Sequence, residues 1–272
     1  MAQFGILNKM QPDNPDITYA LGVLSTELER YAAAEDYFLR LIEAGQKQDE
    51  ANYHLGFIAE KKNDPDTAFS RYQRVGGANQ TDARVHMARI LAEQARLNEA
   101  RELLQQLRIN APQQGLRLYL IEAELLRDAK QYATAHDVYT HAMEFYENNP
   151  DLLYARALNA ADLKRVDLLE RDLNQILVSQ PDHADALNAL GYTLADQTDR
   201  LEEARGYIQK ALALKPDNPA ILDSMGWVEY RLGNLEQALK YLQQAAEISP
   251  DAEIASHLGE VLWQLDRKQE AR

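Results

Sequence analysis

A large residue followed by a small one returns along this chain at nearly constant spacing: Leu21-Gly22, Leu55-Gly56, Met87-Ala88, Leu190-Gly191, Met225-Gly226 and Leu258-Gly259. The steps are 34 residues from Gly22 to Gly56, 32 from Gly56 to Ala88, 35 from Gly191 to Gly226 and 33 from Gly226 to Gly259. Twelve or thirteen residues after each small residue comes an alanine, at Ala34, Ala68, Ala100, Ala204, Ala238 and Ala271. A period of this size argues against a single closed core. Each unit can bury its apolar face only against its neighbours, so the units must stack. The 272 residues hold eight periods, since 272/34 = 8.

Each half of a period has its own physics. The first half, as in LDSMGWVEYRLG, has helical spacing and ends at Gly233, a residue suited to a helix stop. The second half, NLEQALKYLQQAAEISP, starts at Asn234, a good N-cap, and stops before Pro250. It places Ala238, Leu242 and Ala245 on one stripe. The small residues let paired helices approach closely. Two antiparallel helices per unit predict an all-α solenoid with units at about 15–48, 49–80, 81–115, 116–149, 150–183, 184–218, 219–251 and 252–272.

The recurring pattern resembles the tetratricopeptide repeat over essentially the whole chain. That resemblance implies a right-handed superhelix whose first helices line a concave face. Two repeats depart from the pattern. Glu122 takes the large position beside Ala123, and Arg156 takes it beside Ala157. An unpaired buried charge is costly, so Glu122 and Arg156 are expected either to pair across the repeat boundary or to snorkel their charged heads to solvent. Leu169 stands where alanine is expected, which predicts wider packing there. The stretch ADQTDRLEEA carries one extra residue, predicted to lengthen its turn. Residues 1–14 read as the second half of a truncated repeat, and the last repeat stops inside its second helix at Arg272. The expectation is a fragment of a longer protein.

Little in the chain points to catalysis. There is no cysteine, which removes disulfides, thiolate metal sites and cysteine nucleophiles. The six histidines form no HExxH pattern, and His136 and His141 are five apart, off a common helix face. No GxSxG elbow or glycine-rich phosphate loop occurs. Lys+Arg of 29 against Asp+Glu of 43 leaves a net charge of −14, which disfavours nucleic acid and anionic membrane surfaces. No apolar run is long enough to span a bilayer. No cofactor or metal is expected, and the chain reads as a non-enzyme.

A binding surface is the remaining prospect. Residues three before, one after and four after each small residue should project from the first helices into the concave groove. They include Tyr19, Val23, Tyr53 and Phe57, then Arg89, Leu120, Glu124 and Tyr154. Toward the C-terminus they are Asn188, Tyr192, Asp223, Trp227, Tyr230 and Trp263, with Arg231 and Glu260 beside them. Aromatics beside charged groups have the composition of binding hot spots; the alternative is that each ring packs on its neighbouring repeat and seals the stack. Tyr31, Tyr37, Phe38, Tyr72, Tyr139 and Tyr241 fall on second helices and are expected in the core. Chaperone-binding members of the family resemble one another in a Lys/Asn/Arg carboxylate clamp. The matching positions here are Tyr19, Val23, Tyr53 and Phe57, so the clamp is absent.

The strings ALNALGYTLAD, PAILDSMGWVEYRLGN and EIASHLGEVLWQL are similar to the C-terminal arrays of outer-membrane tetratricopeptide lipoproteins of Gram-negative bacteria, especially pseudomonads. Among these are adaptors that bind a carboxyl-terminal processing protease. The resemblance implies a periplasmic scaffold, anchored by an upstream lipidated cysteine, that brings the protease to the cell-wall hydrolases it degrades. Two other readings stay open: an assembly factor for another envelope complex, such as a pilus or secretion machine, and a regulatory array of a larger enzyme.

Overall fold

The computed structural model describes residues 14–271. Among them are fifteen α-helices, two 3₁₀ turns at Gly77–Asn79 and Pro112–Gln114, and no strand. The expected half-repeat at residues 1–14 lies outside the described residues except for Asn14. The chain forms two compact units, one ending at Ala129 and the other beginning at Lys130. The N-terminal unit holds α1 (Pro15–Glu27), α2 (Tyr31–Glu43), α3 (Gln48–Lys61), α4 (Pro65–Gln73), α5 (Gln80–Glu93), α6 (Leu97–Asn110) and α7 (Gly115–Asp128). The C-terminal unit holds α8 (Tyr132–Met143), α9 (Pro150–Asp162), α10 (Val166–Ser179), α11 (Ala184–Gln197), α12 (Leu201–Leu214), α13 (Pro219–Arg231), α14 (Leu235–Ile248) and α15 (Ala252–Gln264).

Helices pack in consecutive pairs: α1 on α2, α3 on α4 and α5 on α6, then α9 on α10, α11 on α12 and α13 on α14. Each second helix also packs on the following first helix, as α2 does on α3 and α12 on α13. First helices touch in turn, α1 with α3, and α9, α11, α13 and α15 in sequence. Each unit is therefore a solenoid stack. Local chemistry sets the helix starts. The side chains of Asn14, Asp64, Asn149 and Asn218 accept N–H bonds from the first turn, and each is followed by proline at the first helical position.

The contact between a small residue and the second helix of its own repeat governs the pair spacing. A Cβ added at Gly22 would lie 2.7 Å from the Phe38 ring, and one at Gly56 2.7 Å from Tyr72. At Gly191 it would meet Ile208 Cγ1 at 2.5 Å and the Ala204 carbonyl oxygen at 2.8 Å. At Gly226 it would meet Leu242 Cγ at 2.5 Å. Phe38, Tyr72, Ile208 and Leu242 are all fully buried. Where alanine replaces glycine, at Ala88 and Ala157, the corresponding Leu104 and Leu173 are buried in the same clusters. Leu169 is also fully buried in the C-terminal core.

The turn between paired helices is three residues long and usually contains one left-handed residue, such as Glu29, Asn63, Ala95 or Lys164. The α11–α12 turn differs from expectation. It keeps three residues, and the extra residue lengthens α11 to Gln197 instead. Thr198 is extended there, and its hydroxyl donates to the Leu194 carbonyl at 2.6 Å and accepts from the Arg200 N–H at 3.1 Å. After α15, residues 265–271 form turns, with no second helix among the described residues.

Glu122 and Arg156 correct the expected pairing. Glu122 is 1% exposed and accepts from Arg101 Nε (3.0 Å), Gln105 Nε2 (3.2 Å) and Arg108 Nη1 (2.6 Å), all on α6. Arg156 grips the fully buried Asp172 of α10 through two bonds of 2.7 and 2.9 Å. A first helix is flanked by second helices, so a charge on its inner side meets those helices. Each charge is compensated there, forming two separate clusters.

The packing predicts opposite outcomes for two glycines. Gly191→Ala should destabilise by ~1–3 kcal/mol, because the Ala204 backbone oxygen cannot move aside as a flexible side chain would. Gly206→Ala, also inside a helix but with nothing within 4 Å of its new methyl, should stabilise by up to about 1 kcal/mol. Urea unfolding of the two variants beside the wild type checks both signs.

Candidate functional site

In the N-terminal unit the first-helix aromatics are knitted into a ladder with histidines. Phe38 stacks on His54 with ring centroids 4.8 Å apart, and one repeat later Tyr72 stacks on His86, again at 4.8 Å. Tyr53 meets His54 and His86 edge-on at 5.8 and 5.9 Å. The Tyr19 hydroxyl lies 3.0 Å from His54 Nε2. Burial lowers the His54 pKa, with Glu50 opposing. The Tyr72 hydroxyl donates to Glu60 at 3.0 Å, and His86 Nδ1 lies 3.1 Å from the same carboxylate. Tyr19 and Tyr53 are thus half-buried rungs, and Phe57, one turn after Tyr53 on α3, has Lys61 Nζ 5.2 Å from its ring centre. Arg89 stands apart. It pairs with Glu124 at 3.1 Å and lines a separate cavity of about 410 Å³ with His86, Arg117 and Leu120.

The C-terminal unit gathers four of the expected groove residues into one open cavity of about 470 Å³. Tyr154, Asn188, Tyr192 and Asp223 line it, from α9, α11 and α13. Ser224, Asp251, Glu253 and Ile254 complete the far wall from α13 and the start of α15. The Tyr192 hydroxyl donates to Glu253 at 2.8 Å. Its pKa is pushed up by burial first and then by that bond. The Asn188 Oδ1 atom is buried and has no hydrogen-bond partner.

Beside the cavity, Trp227 stacks on His257 at 4.3 Å and tilts over Tyr230 at 5.2 Å. His257 Nδ1 lies 3.0 Å from both oxygens of the buried Asp223. Burial works against the charged imidazole, but the Asp223 carboxylate, with Glu253 and Glu260 behind it, outweighs burial and raises the pKa. Tyr230 donates to Glu260 at 2.8 Å.

Two expected groove residues have other work. The Arg231 guanidinium donates to the carbonyls of Ala195 (2.5 Å), Asp196 (3.2 Å) and Thr198 (3.4 Å) and so caps the end of α11. Trp263 is 53% exposed, with Lys268 Nζ 5.2 Å from its ring centre and no place in the cavity. Of the second-helix aromatics, Phe38, Tyr72 and Tyr139 are buried, whereas Tyr31, Tyr37 and Tyr241 are only partly so. Tyr37 keeps one side open beneath Arg40.

Sequence reasoning passed over the histidines. His54, His86 and His257 each stand two residues before the small residue of their repeat, and that register was readable. Asp251 and Glu253 escaped notice because they belong to the start of the following repeat. Among the described residues no group of His, Asp or Glu is placed to hold a metal ion, and no helix is long and apolar enough to cross a membrane.

Stacked helix pairs, each closed by a small-to-large contact and lined on the first helices by aromatic and polar side chains, define a helical repeat array. Three family models, each described as tetratricopeptide repeat, match residues 2–50 and 154–219, 197–261, and 82–113. The chain belongs to the tetratricopeptide-repeat proteins. A TPR repeat-containing protein of Pseudomonas aeruginosa is 40% identical over 213 residues, 78% of this chain and 36% of that protein. A DnaJ protein P58IPK homolog of rice is 32% identical over 107 residues, 39% of this chain and 21% of that one. The chain therefore spans about a third or less of the length of these relatives. Among solved structures, a tetratricopeptide repeat protein of Parabacteroides merdae superposes with a TM-score of 0.66 at 14% identity, covering 83% of this chain and 90% of that one. A repeat protein of Thermus thermophilus superposes with a TM-score of 0.53 at 22% identity, covering 57% of this chain and 85% of that one. These likenesses concern the fold.

The His257–Asp223 pair predicts a pH dependence. A raised folded-state pKa adds stability that is full below the unfolded value, about 6.5, and is lost as pH rises through the folded value. Asp223→Asn should therefore lower the melting temperature more at pH 6 than at pH 9. Thermal melts of both proteins across that range, read by circular dichroism, check the sign.

Proposed function

We propose that this chain is the protein-binding array of a non-catalytic adaptor, and that its partner is a periplasmic carboxyl-terminal processing protease brought to cell-wall hydrolase substrates. The repeat architecture supports a scaffold for protein–protein contact. The observation that carries the groove is the C-terminal cavity, where Tyr154, Asn188, Tyr192 and Asp223 converge from three successive first helices. Such a surface suits an extended segment, because side chains one repeat apart can each meet a successive part of it. The finer reading rests on the likeness of the last three repeats to pseudomonad outer-membrane lipoprotein adaptors, and the Pseudomonas relative at 40% identity agrees with that source. Holding protease and substrate on one scaffold raises their effective concentration without new chemistry.

The test is retention of the purified processing protease on immobilised chain, beside Asn188→Ala/Tyr192→Ala. Retention by the wild type, with at least about tenfold weaker retention by the variant, is the expected result. Retention equal in both moves the contact off the cavity. No retention by either ends the protease reading.

A further inference from the structure

The cavity of the C-terminal unit has a one-sided charge. Asp223, Asp251 and Glu253 line it, and no lysine or arginine does. The cavity in the N-terminal unit is different, since Arg89 and Arg117 there stand with Glu124. The three carboxylates are only partly engaged by protein donors. Asp251 accepts the Glu253 N–H at 2.8 Å, Glu253 accepts the Tyr192 hydroxyl, and Asp223 faces His257. A carboxylate offers about four acceptor positions, so each keeps capacity for a further donor. His257 offsets Asp223 when protonated, and so Asp251 and Glu253 carry the net charge of the site. The Tyr154 and Tyr192 rings line the same space. An aromatic face beside carboxylates favours a cation over any other side-chain head.

Resting on the groove reading above, we infer that this cavity selects a basic, extended segment of the partner protein. A lysine or arginine of that segment lies along the tyrosine rings with its head among Asp251, Glu253 and Asp223. An acidic tail is repelled by the same three groups, and the chain's net charge of −14 steers cationic partners toward it over longer range.

The experiment uses three fluorescein-labelled ten-residue peptides, in which serine alternates with lysine, glutamine or glutamate. Anisotropy titrations are run on the whole chain at low and moderate salt. The lysine peptide should bind at least about tenfold more tightly than the glutamine peptide, and the advantage should shrink as salt screens the charges. The glutamate peptide should not bind. Asp251→Asn/Glu253→Gln keeps side-chain shape and the helix cap, and should bring lysine and glutamine peptides level, with an unchanged circular dichroism spectrum. A lysine advantage that survives this variant, equal binding of lysine and glutamate peptides, or no binding of the lysine peptide overturns the inference. If the glutamine peptide binds as tightly as the lysine peptide and is lost in Asn188→Ala/Tyr192→Ala, charge selection is wrong while the groove stands. If no peptide binds and that variant retains the protease as well as wild type, the groove reading falls too.

Discussion

The repeat depends on one contact, a first-helix glycine or alanine pressed against a large second-helix side chain. At Gly191 and Gly226 the helices are so close that even a methyl group would penetrate Ile208 or Leu242. Everything else in a repeat follows from that approach. Interiors are packed to crystal-like density, so the pair can close only where one side is bare and the other full. The turn is then held to three residues, and the same contact returns in the next repeat.

A first helix lies between two second helices, and this arrangement decides where its inner-side charges go. Glu122 is met by Arg101 and Arg108, and Arg156 by Asp172, from helices that flank them. The outer row of the first helices escapes this enclosure. In the N-terminal unit it carries Tyr19, Tyr53, His54 and His86, the histidines stacked on the buried second-helix rings of Phe38 and Tyr72, and in the C-terminal unit it carries one wall of the acidic cavity. Aromatic pairs contribute about 0.5–1.5 kcal/mol each beyond their burial, so the ladder stiffens a surface that remains half-open.

The period, the pair of helices and the residues at their contact were legible because each leaves a mark at a fixed interval. The row of first-helix positions was legible for the same reason, and it led to Tyr154, Asn188, Tyr192 and Asp223. Arg231 stands beside that row, five residues after Gly226, yet its side chain reaches back to the end of α11. Position along the helix sets only where a side chain starts. A long, flexible one ends wherever the strongest unsatisfied acceptors lie, here the last carbonyls of a neighbouring helix. The Thr198 turn was misjudged because an inserted residue can be absorbed by helix or by turn. Hydrogen bonding of the threonine hydroxyl settled it in favour of the helix.

Sequence alone determined the all-helical stack, since periodicity and small residues act locally and recur. It also determined the lack of a cysteine chemistry and the acidic balance. Only the tertiary structure decided which charges neutralise each other and which remain facing an open cavity. Those outcomes depend on partners brought together from different repeats: Glu253 lies 61 residues from the Tyr192 hydroxyl that it binds, and His257 lies 34 from Asp223. Electrostatic energy depends on distance through space, and no spacing along the chain records that distance.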